Sequence, residues 1–287
     1  MVDYKTLEQE ISELNPIITE TFSIGKSVMG KDIKCIKIGR GKKKIVINGA
    51  HHGLEYITSA FLTEFIKKYS ECLIKNEKLY NFDIVDFFCN ITLYIIPMLN
   101  PDGVDIAIHG LDITNSWHRK LISLAGIHSF QTVWQANVNG VDLNHNYDAD
   151  WNITVDSPAP SKFGGEYAFD QPETQHMVNL IREVDCDMLL CFHSQGREIY
   201  YDFKGYQDKS SKNIARKMAE ISGYEVKKPI GSASYGGCKD WFLKEFGRCA
   251  FTVEIGFGRN PLPLSELDNI FEENAKIILC AMSELIK

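Results

Sequence analysis

The amino-acid sequence predicts an α/β fold in which helices cover a central sheet. Four apolar runs are too short for helices and end abruptly in polar segments that contain glycine, as strands buried on both faces do: KIVINGAHHG, LYIIPMLNPDG, MLLCFHSQG and CAFTVEIGFG. Between these runs lie helical patterns with apolar residues at four-residue steps. Alternation of strands and helices along a chain is typical of α/β proteins.

The predicted elements follow the order of these patterns. Each apolar run predicts one strand, and residues 156–170, which contain Pro, Ser and Gly, predict a surface loop over a site. A last helix is expected from about Ser265 to Lys287. The sequence contains no internal repeat and no linker long enough to separate two domains, so residues 1–287 are expected to form one domain. The helix after the first strand presents one apolar face: Ile57, Phe61, Phe65, Tyr69 and Leu73.

Composition and charge exclude several classes of protein. Hydrophobic residues make up 44% of the 287 residues and charged residues 24%, as in ordinary globular proteins. Nucleic-acid binding normally needs clustered Lys and Arg, whereas the formal net charge is -7. The residues after Met1 lack the basic and apolar regions of a secretory signal, and no apolar stretch reaches about 18 residues. We expect a cytoplasmic protein with no nucleic-acid and no membrane partner.

The eight cysteines are scattered, mostly inside apolar runs. They form no CxxC pair, which would indicate a metal site or a redox motif. The pattern therefore predicts reduced, buried thiols, as in proteins of a reducing compartment.

Polar side chains follow the ends of the four predicted strands. Ligands of α/β proteins collect beyond the carboxyl ends of strands, so these side chains are candidates for a common site. A hydrolytic zinc site needs three protein ligands and an open position, and two histidines with one glutamate are a common set. A separate carboxylate would then transfer protons. The candidates at the strand ends are His51, His52, Glu55, Asn100, Asp102, His193 and Glu254.

Spacing alone does not choose between the two adjacent histidines. His51 precedes Glu55 by four residues and His52 precedes it by three. In a helical segment both spacings place the two side chains on one face. From the residues alone, either histidine could be the ligand.

The segment HGLEYIT resembles the HxxE zinc motif of the M14 metallocarboxypeptidases. The similarity implies that His52, Glu55 and His193 bind one zinc ion and that Glu254 is the catalytic glutamate. It also implies a three-layer α/β/α fold with a mixed, mostly parallel sheet and zinc at the strand ends. The similarity continues in order along the chain: SIGKSVMGKDI, PMLNPDGV, GVDLNHN, CFHSQG, GGCKDW and FTVEIG.

Within this family, WQANVNGVDLN and HSQGREIYY most resemble the bacterial γ-D-glutamyl-diamino acid endopeptidases. These enzymes cut the bond between D-glutamate and diaminopimelate or lysine in peptidoglycan stem peptides. The resemblance therefore implies a small, murein-derived peptide as the substrate. The oligomeric state is left open.

The sequence departs from the carboxypeptidases where they bind a terminal carboxylate. Those enzymes use an Asn-Arg pair, whereas Asn144 is followed here by His145. The aromatic hydroxyl expected four residues before Gly-Gly is Ser232, and Tyr235 could substitute for it. Asn144, His145 and Tyr235 are therefore candidates for substrate binding, and the departures weigh against classical release of a C-terminal residue.

Two arginines are candidates for contacts with negative charge. Arg119 in NSWHRKL resembles the context of the family arginine that helps stabilise the oxyanion, with one residue inserted. Arg197 follows His193 closely and could meet a substrate carboxylate.

The sequence therefore predicts a zinc peptidase in which Glu254 activates water and then protonates the leaving amine. The first alternative is a carboxypeptidase or amidohydrolase that acts on another small peptide. The second is a catalytically silent, zinc-containing protein that binds peptides, although a binding protein has no need of a buried base.

Overall fold

An eight-stranded mixed sheet lies at the centre of the protein, which a computed structural model describes over residues 2–151, 155–229 and 235–287. A separate hairpin is formed by two short strands, β4 and β5. The strands are β1 (Thr19–Lys26), β2 (Asp32–Gly39), β3 (Lys43–Asn48), β4 (Lys78–Leu79), β5 (Phe82–Asp83), β6 (Ile91–Ile96), β7 (Met188–His193), β8 (Glu198–Tyr200), β9 (Glu225–Lys227) and β10 (Cys249–Glu254).

Helices connect the strands and cover the sheet. Short 3₁₀ turns span Gly53–Glu55, Leu143–His145 and Leu264–Glu266. The α-helices are α1 (Tyr4–Ser12), α2 (Ile57–Lys75), α3 (Ile84–Asn90), α4 (Pro101–His109), α5 (His118–Ala125), α6 (Phe130–Val133), α7 (Pro172–Val184), α8 (Ser211–Ser222), α9 (Cys238–Phe246) and α10 (Leu267–Leu285).

The middle of the sheet is parallel and its flanks contain antiparallel pairs. The strand order is β1-β2-β6-β3-β7-β10-β8-β9. Strands β6, β3, β7 and β10 run parallel to their neighbours in this group, whereas β2 and β8 pair with its two outer members in the antiparallel direction. The carboxyl ends of the four central strands therefore meet at one edge.

Successive residues of the central strands face opposite helical layers. On β7, Leu190 and Phe192 pack with residues of α2, α8 and α10, whereas Leu189 and Cys191 pack with residues of α7 and α9. Such two-sided burial explains why the sequence of β7 is continuously apolar, since a strand with one wet face alternates. His193 follows Leu189 and Cys191 at two-residue steps, so its side chain points to the α9 side.

The fold predicted from the sequence is confirmed. The four apolar runs form β3, β6, β7 and β10, and the helix expected behind the first run is α2. The last helix extends over Leu267–Leu285. All eight cysteines are unpaired, and all but Cys89 are buried. Within the described residues, no helix is both long and apolar enough to cross a bilayer.

Replacing Leu190 by alanine is expected to lower the free energy of unfolding by about 2 to 5 kcal/mol, because the fully buried side chain would leave a cavity between sheet and helices. Ile17 is 89% exposed, and its replacement by alanine should change stability by less than about 0.5 kcal/mol. Urea denaturation, monitored by tryptophan fluorescence, measures the free energy of unfolding of both variants. An equal decrease in the free energy of unfolding of the two variants would contradict this description of the core.

Candidate metal centre

A tight turn after β3 brings His52 and Glu55 to the same side of the chain. The residues Gly53–Glu55 form a 3₁₀ turn, in which side chains three residues apart eclipse one another. Gly53 lies against α4, where a Cβ atom would sit 2.3 Å from the carbonyl oxygen of Gly103. The close packing requires glycine, and it fixes the turn that presents His52 and Glu55.

Three ligand atoms converge at the carboxyl edge of the sheet. His52 Nδ1 lies 2.8 Å from Glu55 Oε1, and His193 Nδ1 lies 3.0 Å from Glu55 Oε2. The two histidine Nδ1 atoms are 3.3 Å apart. Among the described residues, His52, Glu55 and His193 form a group of possible ligands whose atoms all lie within 4.8 Å of one another.

The chemistry of these donors fits a bound metal cation. The second ring nitrogen of His52, Nε2, donates a hydrogen bond to Asp142 Oδ1 at 3.0 Å. With Nε2 used in this way, His52 Nδ1 faces a carboxylate oxygen and a second imidazole nitrogen, and it can hold either a second proton or a metal ion. Three such groups repel one another unless positive charge, from a proton or a metal ion, lies between them. Imidazole and carboxylate ligands suit zinc, and a carboxylate on the outer nitrogen is usual for a metal-binding histidine.

The electrostatics of the cluster agree with this description. Burial alone would lower the pKa of His52. The carboxylates of Glu55 and Asp142 outweigh burial and raise this pKa well above its ordinary value. The two histidines in turn lower the pKa of Glu55 to about 2, again against burial. The carboxylates therefore stay ionised, and the cluster favours positive charge at its centre.

His51 points away from the ligand atoms. Its Nε2 atom contacts the hydroxyl of Tyr147 at 3.0 Å, and its ring stacks on His193 with centroids 5.3 Å apart. Burial lowers the pKa of His51 well below its ordinary value, so the ring stays neutral. The 3₁₀ turn thus places His52, three residues before Glu55, against the carboxylate, and leaves His51, four residues before it, facing Tyr147.

Glu254 ends β10 directly beside His193. The two residues are partners in the parallel register of β10 and β7, so their side chains leave the same face of the sheet. Burial, together with the charge of Glu55, raises the pKa of Glu254 from 4.5 to about 7 although His193 acts in the opposite direction. A carboxyl group that gains and loses its proton near neutral pH is suited to general acid-base chemistry.

Comparison with known proteins agrees with the site. The zinc carboxypeptidase model of peptidase family M14 matches residues 4–277. The chain belongs to the M14 zinc carboxypeptidase family. It is 37% identical to γ-D-glutamyl-L-diamino acid endopeptidase 1 of Lysinibacillus sphaericus, over 98% of this chain and 72% of that protein. Protein YqgT of Bacillus subtilis is 32% identical, over 98% and 77% of the two chains.

A solved structure shows the same fold. Bovine thrombin-activatable fibrinolysis inhibitor, in complex with a tick carboxypeptidase inhibitor, superposes with a TM-score of 0.75. The match covers 99% of this chain and 95% of that chain at 19% identity. The zinc carboxypeptidase-like architecture expected from the sequence is therefore confirmed, and this chain is a zinc metallopeptidase of the M14 family.

Two of the predicted substrate-binding residues of this M14 peptidase make hydrogen bonds within the protein. Asn144 Oδ1 accepts a hydrogen bond from Cys238 N at 3.1 Å, and His145 Nδ1 donates to the carbonyl oxygen of Tyr235 at 2.9 Å. Both contacts tie the Leu143–His145 turn to the start of α9. Substrate contacts by Asn144, His145 and Tyr235 stay predictions, and Ser232 lies outside the described residues.

The two candidate arginines lie in different surroundings. Arg119 is exposed in the first turn of α5. The guanidinium of Arg197 contacts Glu273 Oε1 at 2.7 Å and covers the ring of Tyr224 at 5.5 Å. The structure therefore engages Arg197 with α10. The roles of both arginines toward substrate stay predictions.

Sequence reasoning missed Asp142, the hydrogen-bond partner of His52. It lies in GVDLNHN, only two residues before Asn144, but nothing in its spacing links it to a histidine 90 residues earlier in the chain. Asn100 and Asp102, by contrast, serve the structure. Asn100 donates to the carbonyl oxygen of His51 at 3.0 Å, and Asp102 accepts from the backbone of Met29 at 2.8 Å.

Replacing Asp142 by asparagine is expected to weaken zinc binding about 10- to 100-fold, because His52 loses the carboxylate that orients and polarises it. Competition against a chromogenic chelator measures the affinity. Asp268→Asn removes one charge from an exposed position and serves as the control. Equal affinity of the Asp142→Asn variant and the wild-type protein would contradict this role of Asp142.

Proposed function

We propose that this protein hydrolyses the amide bond between γ-D-glutamate and the diamino acid of peptidoglycan stem peptides. The observation that carries the proposal is the convergence of His52, Glu55 and His193 beside Glu254. The substrate class is supported by the 37% identity to an enzyme named γ-D-glutamyl-L-diamino acid endopeptidase 1.

In this proposal His52, Glu55 and His193 would hold one zinc ion. When bound, zinc supplies a Lewis acid that acidifies water and polarises a carbonyl group. Asp142 keeps the ring of His52 in the tautomer whose Nδ1 atom is free to bind. His51 stays neutral and packs behind the site, with no role as a ligand.

Glu254 performs the proton transfers. Its carboxylate accepts a proton from the attacking water, and the same carboxyl group then donates a proton to the nitrogen of the leaving amine. The raised pKa supports both roles, because the group can hold the proton between the two steps. Arg119 is proposed as a further stabiliser of the developing oxyanion, and Asn144, His145, Arg197 and Tyr235 as contacts to the substrate.

The proposed substrate is a small soluble peptide, such as a fragment released from murein. The enzyme is proposed to encounter it in the cytoplasm. The unpaired state of all eight cysteines supports a reducing compartment. The net charge of -7 supports a peptide partner over a nucleic acid.

Incubation of the zinc-loaded protein with L-Ala-γ-D-Glu-meso-diaminopimelate is expected to release free diaminopimelate, detected by mass spectrometry. Glu254→Gln should bind zinc normally and lose at least about 100-fold in rate, in line with removal of a general base. Dialysis against a chelator should abolish cleavage, and one equivalent of zinc should restore it.

A second peptide, extended by D-Ala at its C-terminus, separates the alternatives. Cleavage before diaminopimelate in this peptide supports an endopeptidase. Release of D-Ala alone would instead establish a carboxypeptidase. Tight binding of both peptides with no turnover by the zinc-loaded protein would show a silent binding protein and reject the proposed hydrolysis.

The acid limb of kcat/KM is expected to have its midpoint between pH 4.5 and 7, the ordinary and the raised pKa of Glu254. Burial disfavours the charged form and raises this pKa, whereas a bound cation lowers it. Since the ionised carboxylate accepts the proton from water, activity falls as pH falls through the pKa. Zinc occupancy measured at each pH controls for metal loss. A flat profile across this interval would contradict the role of Glu254.

A further inference from the structure

Glu198 lies next to Glu254, on the side of the base away from the metal ligands. Glu254 is the register partner of His193 on β7 and of Glu198 on β8. The three residues therefore form one row across adjacent strands, which are spaced roughly 4.8 Å apart. Ile199 packs into the core on the opposite face, so the side chain of Glu198 leaves the sheet on the face of the base.

The carboxylate of Glu198 is held in place by its neighbours. The hydroxyl of Tyr200 donates to Glu198 Oε2 at 2.5 Å. Gly196 lies against the same group, since a Cβ atom there would sit 3.4 Å from Glu198 Oε2. The side chain is partly buried, so it is both oriented and accessible.

This carboxylate forms no close ion pair among the described residues. Lys227, on the next strand, contacts Glu225 Oε2 at 2.6 Å and attracts Glu198 only over a longer distance. Hydrolysis does not require a second acid at this position, because Glu55 already serves the metal centre and Glu254 the proton transfers. An oriented carboxylate in a partly buried cleft is suited to a cationic group of a ligand.

The direction of the row indicates which part of the substrate this group meets. In the proposed reaction the carbonyl under attack is placed near His193, the metal ligand on β7, and the leaving nitrogen near Glu254. Continuing past Glu254 along the row leads to Glu198. The side chain of the residue that leaves with the new amine is therefore the part of the substrate that extends toward β8.

We propose that Glu198 is a specificity-determining residue that binds the side-chain ammonium of the diamino acid on the leaving side of the cleaved bond. The inference rests on the proposed function and adds the chemical group that is recognised. Lysine and diaminopimelate share an ammonium group on the ε-carbon of a flexible chain, and in diaminopimelate that carbon also carries a carboxylate. A leaving residue of the same length without the ammonium would lose the interaction.

The test compares two peptides that differ only in this group: L-Ala-γ-D-Glu-L-Lys and L-Ala-γ-D-Glu-L-norleucine. Glu198→Gln should reduce kcat/KM for the lysyl peptide about 10- to 100-fold, mainly through KM, as expected for loss of a charge-assisted hydrogen bond. The norleucyl peptide should change by less than about twofold. Glu77→Gln is the control, because it removes the same charge from an exposed residue outside this row.

Two results would overturn the proposal. Equal losses on both peptides would show that Glu198 acts through Glu254 or through the fold, and unchanged rates on both would show that it has no role. If the wild-type protein cleaves neither peptide, the proposed function fails separately. Calorimetry of L-lysine and L-norleucine binding to the zinc-loaded protein then tests whether Glu198 binds the ammonium group. A preference for lysine that Glu198→Gln abolishes supports the proposal, and equal affinities for the two amino acids reject it.

Discussion

The repulsion among three electron-pair donors is the constraint around which this protein is organised. Two imidazole nitrogens 3.3 Å apart, with a carboxylate against both, form a stable arrangement only around positive charge. The polypeptide must therefore hold the three side chains close enough to share that charge. It does so by attaching them to a 3₁₀ turn packed on α4 and to the end of a fully buried strand.

The sheet gives the remaining chemistry its order. Because β7, β10 and β8 are neighbours, one row of register partners carries the proposed metal ligand His193, the proposed base Glu254 and the further carboxylate of Glu198. The separation of the backbone positions that carry these groups is set by the spacing of hydrogen-bonded strands. Backbone pairing thus defines the direction in which a substrate must lie.

Much of the fold was predictable because its central strands are buried on both faces. Such strands read as continuous apolar runs, and α2 shows a clear helical period. The hairpin of β1 and β2 was not predicted, since β1 is largely exposed and carries a mixed pattern. The expectation that residues 1–287 form one domain stays a prediction.

Only the site residues that lie in recognisable family motifs could be predicted from the sequence. His52, Glu55, His193 and Glu254 follow from the ordered resemblance to a family, whereas spacing alone left His51 open until the 3₁₀ turn was seen. The contact of Asp142 with His52 joins segments that are distant in the chain, and the position of Glu198 beside Glu254 follows from strand register. A single sequence contains no direct record of such pairing.

Asp142 also joins the metal centre to the loop predicted to lie over the site. One carboxylate oxygen accepts from His52, and the other accepts from the backbone N–H of Lys162 at 2.9 Å. One side chain therefore orients a candidate metal ligand and anchors the backbone of this loop, so that a displacement of the loop at Lys162 and a displacement of His52 both act on the same carboxylate.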